Sequence, residues 1–161
     1  MELLKYPDPR LTEHNRPIDA LSSEDLLKVE EMFGVMARSD GLGLAAPQVG
    51  WNVRLFILGF EAREPLIFWN PKIELVGEKQ LMTEGCLSFP GISVPVSRAL
   101  RVRLLAETPN GPVDLMTAGL AAQAVQHEMD HVDGKLFIEH LSPEDRARIE
   151  PVLAELRAKK N

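Results

Sequence analysis

The segment His127-Glu128-Met129-Asp130-His131 restricts the possible folds of this chain more than any other. It is an H-E-x-x-H pattern. Residues four apart stack on one face of an α-helix, so a helix here would aim both imidazoles at one point. The fold must then bring a third ligand from elsewhere and leave one coordination position open, because a catalytic ion needs room for water or substrate. With only 4 His in 161 residues, composition alone yields roughly 0.01 such matches. The bland alternative is two ordinary histidines on a polar helix face. Thr117–His131 is rich in Ala and tolerates burial at almost every position, which favours a helix inside the molecule. Glu128 follows the first imidazole and can contact a water on the ion without being a ligand.

For the third ligand the candidates are Glu139, His140, Glu144 and, upstream, Cys86. A thiolate binds zinc or ferrous iron strongly, and two His with one Cys leave a fourth position open. Cys86 stands in Glu84-Gly85-Cys86-Leu87-Ser88-Phe89-Pro90-Gly91, whose Gly, Ser and Pro imply a tight irregular connection. A lone cysteine is ordinarily a small buried hydrophobe. Beside H-E-x-x-H the balance moves to a ligand.

The rest of the chain reads as one domain over residues 1–161, with no repeat, low-complexity tract or linker. Hydrophobic residues at 45% and charged residues at 26% exclude a disordered regulator, and the single Cys excludes a disulfide scaffold. The net charge of −6 argues against a general polyanion-binding surface, DNA included. The start Met1–Pro7 has no apolar leader, and no apolar run approaches the ~20 residues that span a bilayer. The expectation is a soluble, cytoplasmic protein without a membrane partner.

Local patterns predict an α+β fold. Pro7, Pro9 and Pro17 mark an extended, turn-rich arm. Ser22 and Asp25 resemble a capping box, and Leu26, Val29, Met32, Phe33 and Met36 recur at helical spacing, which predicts a helix over Ser23–Ser39 ended by Asp40–Leu44. Val53–Leu58, Leu66–Trp69, Ile73–Val76, Gly91–Val96 and Leu100–Ala106 read as short strands in small, mostly antiparallel sheets, packed around the central H-E-x-x-H helix. Ser142-Pro143-Glu144-Asp145 opens a C-terminal helix with a core stripe of Ile149, Val152, Leu153 and Leu156, which Pro151 should bend or restart.

Gly41-Leu42-Gly43-Leu44-Ala45-Ala46-Pro47-Gln48-Val49-Gly50 contains G-x-G but lacks the third glycine of a dinucleotide site and the Lys and Ser/Thr of a P-loop. Its small residues instead let a backbone approach another extended chain, with the Gln48 amide facing that groove.

Three segments, in order, carry a resemblance. Gly41–Gly50 resembles a G-x-G-x-A-A-x-Q motif, Glu84–Ser88 an E-G-C-L-S motif, and Gln126–His131 a Q-H-E-x-D-H motif. Together with flanking similarity from Tyr6–Leu11 to Leu136–Ile138, the chain resembles the bacterial-type peptide deformylases. The resemblance implies that Cys86, His127 and His131 hold one divalent metal, with Glu128 as acid/base. It implies that Gln48 and the Leu87 backbone N–H stabilise the oxyanion, and that Leu42, Gly43, Met82, Arg98, Leu120, Gln123 and Ala124 form the pocket for the first side chain. Gln123 departs from the aliphatic or basic residue expected there. Ferrous iron is the family's usual ion, with zinc or nickel able to use the same ligands. The implied substrate is an N-formyl-methionyl nascent peptide. The basic Arg146, Arg148, Arg157, Lys159 and Lys160 could approach ribosomal RNA at the exit tunnel or simply be solvated. Two other readings compete: a zincin-like endopeptidase or other amidase, and an inactive module around a structural ion.

Overall fold

In the computed structural model, residues 1–39, 41–59 and 66–159 are described. Asp40 and Lys160, named above, lie outside the described residues. Five strands form one antiparallel sheet in chain order: β1 (Gly43–Ala45), β2 (Leu55–Leu58), β3 (Leu66–Gly85), β4 (Ser93–Thr108) and β5 (Gly111–Ala118). Three α-helices accompany them: α1 (Ser23–Arg38), α2 (Gly119–Val132) and α3 (Pro143–Lys159). The architecture is α+β, with single 3-10 turns at Pro9–Thr12, Ala46–Val49 and Phe137–His140.

The strand pattern differs from the short runs read in the sequence. Leu66–Trp69 and Ile73–Val76 belong to the single 20-residue β3, and β4 likewise absorbs two expected runs. The register against β4 shifts between Trp69 and Lys72 and again between Val76 and Lys79. Asn70 (φ 49°) sits at the first shift and Gly77 (φ 80°) at the second. These are bulges, which admit an extra residue without ending the ladder. Punctuation that normally ends a strand therefore bends this one, and carries it on to Glu84 and Gly85 beside α2. The sequence pattern does not predict strand β5, because only its Gly111, Val113 and Thr117 are even partly buried and its remaining residues are exposed.

α1 opens with the expected box: Ser22 Oγ accepts from the Asp25 N–H at 3.2 Å, and Asp25 Oδ2 accepts from the Ser22 N–H at 3.0 Å. Its buried face is Val29, Met32, Val35 and Met36, whereas Leu26 is left exposed. α3 runs through Pro151 as one helix of 17 residues. Proline removes the bond to the Ala147 carbonyl, but Ala147 and Pro151 both face solvent, where water can serve that carbonyl. Ile149, Leu153 and Leu156 are buried as the stripe required, with Val152 packed beside them.

α2 is the central element. From Ala122 to Val132 every residue except Asp130 is buried. Ala122, Ala124, Val125, Met129 and Val132 pack on Phe56, Phe68, Val102 and Leu104 of the sheet. Gln126 pins the helix laterally: its Oε1 accepts from the Ala99 N–H at 2.9 Å and its Nε2 donates to the Ala99 carbonyl at 3.0 Å. At the other end Asn15 Nδ2 donates to the carbonyls of His131 and Val132, which the helix leaves without intrahelical partners. A helix held at its middle and at its C-terminal end presents its remaining face at a defined depth.

Candidate active site

That face opens into a cavity of about 500 Å³. It is walled by Leu42 and the first residue of β1 (Gly43), the end of β3 (Thr83–Gly85), the loop Cys86–Ile92, and Leu120, Gln123, Ala124, His127 and Glu128 of α2. One ligand atom each from Cys86, His127 and His131 lies within 4.8 Å of the others. Cys86 Sγ and His131 Nε2 are 3.2 Å apart. Among the described residues this is the set of His, Cys and carboxylate groups close enough to share an ion. Glu139 and His140 are engaged elsewhere: Glu139 accepts from the Leu136 N–H, and His140 meets Asp130 at 2.8 Å. Glu144 opens α3 and points to solvent.

The donor set fits a divalent cation. Glu84 Oε2 lies 3.0 Å from His127 Nδ1, which places the proton there and leaves Nε2 to bind. Burial opposes charge on His127, yet Cys86 and Glu84 beside it raise its pKa well above the usual imidazole value. Burial and the neighbouring charge of His127 lower that of His131. Two imidazoles and one thiol are the donor types that zinc and ferrous iron bind.

Glu128 is 3% exposed, and its Oε2 has no hydrogen-bond partner among the described residues. Burial pushes its carboxyl up to about 7, with His127 opposing and Glu84 and Asp130 adding to the rise. Gly43 explains how this carboxylate reaches the cleft wall: a Cβ on Gly43 would collide with Glu128 Oε1. Gln48 sits on the 3-10 turn after β1 and is 2% exposed, so it is no surface glutamine. Its Oε1 accepts from the Ala45 N–H at 2.9 Å, which aims Nε2 at Ser88 Oγ (3.1 Å) and Cys86 Sγ (3.6 Å). The Leu87 N–H makes no hydrogen bond among the described residues.

Two expected pocket residues are elsewhere. Met82 and Arg98 do not line the cavity. Met82 pairs with Val96 across β3 and β4. Arg98 is 4% exposed, because its guanidinium is taken up by Glu84 (2.7 and 3.0 Å) and Asp130 (2.8 Å). Against the cost of burial, His127 and Arg98 hold the Glu84 carboxyl at about 2. Nothing in the sequence pattern assigns Glu84 or Asp130 a role. Both stand inside the quoted motifs, but spacing along the chain says nothing about a partner on another element.

The comparisons with known proteins agree with this geometry. The family described as Polypeptide deformylase matches residues 1–147. Peptide deformylase 2 of Xanthomonas campestris pv. campestris is 42% identical over 98% of this chain and 96% of its own length. The peptide deformylase of Stutzerimonas stutzeri is 38% identical over 97% and 95%. Among solved structures, a peptide deformylase from Legionella pneumophila superposes with a TM-score of 0.90 at 33% identity, covering 99% of this chain and 96% of that one. One from Plasmodium falciparum gives 0.93 at 34% identity, covering 98% and 96%. The chain belongs to the polypeptide deformylase family.

Proposed function

We propose that this protein, as one metallohydrolase domain spanning residues 1–161, hydrolyses the formyl group from the N-terminal formyl-methionine of newly made polypeptides and releases formate. The observation that carries the reading is the Cys86, His127 and His131 donor set beside the buried, unpartnered carboxylate oxygen of Glu128. An open three-ligand site also speaks against a structural ion, which would want four protein ligands.

Cys86 Sγ and the two histidines would hold one divalent cation, ferrous iron by family resemblance, and it supplies Lewis acidity toward water and the formyl oxygen. Glu128 accepts a proton from the attacking water as its oxygen bonds to the formyl carbon. A carboxyl poised near 7 can both take that proton and return it. It gives it to the peptide nitrogen as the C–N bond breaks, so formate and a free amino terminus leave. Negative charge grows on the formyl oxygen during attack, and Gln48 Nε2 and the Leu87 N–H are the donors placed to meet it. A donor of this kind is typically worth ~3 kcal/mol. Leu42, Gly43, Leu120, Gln123 and Ala124 border the space for the substrate's first side chain.

The setting is the cytoplasm, where formylated chains emerge. No helix among the described residues is long and apolar enough to cross a membrane. Ribosome contact through α3 belongs to the same proposal, carried by Arg146 and Lys159, since Arg148 and Arg157 already pair with Asp145 and Glu150. Formate release from a formyl-Met peptide, with acetyl-Met as control, tests the activity. Release from the first alone is expected. Cleavage inside an unformylated peptide would favour the endopeptidase reading.

A further inference from the structure

The α2 wall of the cleft is not uniformly apolar. Gln123 lies one helical turn before His127, is 8% exposed and lines the cavity beside Ala124. Its Nε2 donates to the Thr83 carbonyl at 2.8 Å. A carbonyl only accepts, so this contact fixes which end of the amide is nitrogen. Oε1 makes no hydrogen bond among the described residues, yet it is not one of the sealed, partnerless side-chain atoms. Its access is to the cleft. Gln123 therefore offers an acceptor, and one further N–H, to whatever fills the space one turn from the reacting centre.

We propose that Gln123 is a specificity-determining residue whose amide gives the first-side-chain pocket a hydrogen-bonding wall, so that it admits unbranched side chains ending in a polar group. This rests on the deformylase reading above. A hydrocarbon side chain that covers Oε1 strips it of water and returns nothing, whereas an amide of the same length replaces the lost bond. The small Ala124 beside it leaves room for such a group. The class of substrate is a formyl peptide whose first residue has the reach of methionine and a donor or acceptor at its end.

Glutamine, methionine and norleucine have side chains of nearly equal length, so formyl-Gln-, formyl-Met- and formyl-norleucyl-Ala-Ser isolate polarity. Formate release is measured with the metal-loaded wild type, Gln123→Leu and Gln123→Met. The ratio of kcat/KM for the glutamine over the norleucine peptide should fall on the order of tenfold in both variants. An unchanged ratio, or a uniform loss on all three peptides, assigns Gln123 to holding Thr83 and overturns the proposal. A measurement on the wild type alone guards against variants that do not fold. Acetyl-Gln-Ala-Ser and acetyl-norleucyl-Ala-Ser, which are not turned over, are compared as competitors. A hydrocarbon pocket penalises the amide by at least about fivefold, so a smaller penalty supports the polar wall and a larger one rejects it. If the wild type releases no formate from the formyl-Met peptide, the deformylase reading itself fails and takes this one with it.

Discussion

Gly43 and Glu128 form the closest fit in the site, a backbone without a Cβ lying against a buried carboxylate. Gly43→Ala should displace Glu128 from the cleft wall and lower kcat while metal content stays at that of wild type, read by metal analysis beside turnover. On the proposed mechanism, Glu128→Ala removes both the base for water and the acid for the leaving nitrogen, so kcat should drop by roughly 10²–10⁴-fold. Glu128→Gln keeps the shape and cannot take the proton, and it should be nearly as damaged. A metal-replete Glu128→Ala protein turning over within about tenfold of wild type would end the acid/base assignment. Arg98 is a different kind of residue, since it pairs with Glu84 and does not line the cavity. Arg98→Met takes the guanidinium from the buried Glu84 and leaves that carboxylate with His127 alone, a loss that typically costs about 3–5 kcal/mol. Denaturant unfolding should show that loss, together with weaker metal retention because Glu84 no longer holds His127 still.

Among the elements, α1 stands apart from the chemistry. Ser22→Ala breaks the capping box and should cost about 1 kcal/mol with kcat unchanged. A fall in turnover comparable to that of Glu128→Ala would mean that α1 is coupled to the cleft. The helices were the easiest elements to read, because capping and apolar spacing are local. The long strands were not. Pro71 and Gly77 look like strand ends in one dimension, but the ladder with β4 continues past both. Bulges depend on a partner strand, which no window of sequence contains. Pro151 makes the same point in reverse, because the solvent around it supplies what the helix loses.

For the whole molecule, a divalent metal would also constrain the fold, since the three residues proposed to hold it come from α2 and from the loop after β3. An ion bound to the native state alone stabilises it by mass action, by about 2.7 kcal/mol at a hundredfold excess over Kd. Chelation should therefore lower the Tm of the wild type. Cys86→Ala should lose most of its metal and show almost no Tm response to chelator. Full metal stoichiometry in that variant would remove Cys86 from the ligand set.

The α+β class, the H-E-x-x-H helix and, through three ordered motifs, the family are legible in the linear chain. Those signals reside in residue type and short spacing, which folding does not alter. Packing between elements is what turns Arg98 inward to Glu84 and Asp130, keeps Met82 out of the cleft, and faces Gln123 toward it with one end of its amide occupied. The physical reason is shared by all three. A side chain's direction is chosen by partners on other elements, through ion pairing, burial and hydrogen bonding, and those partners become neighbours only when the sheet closes against α2.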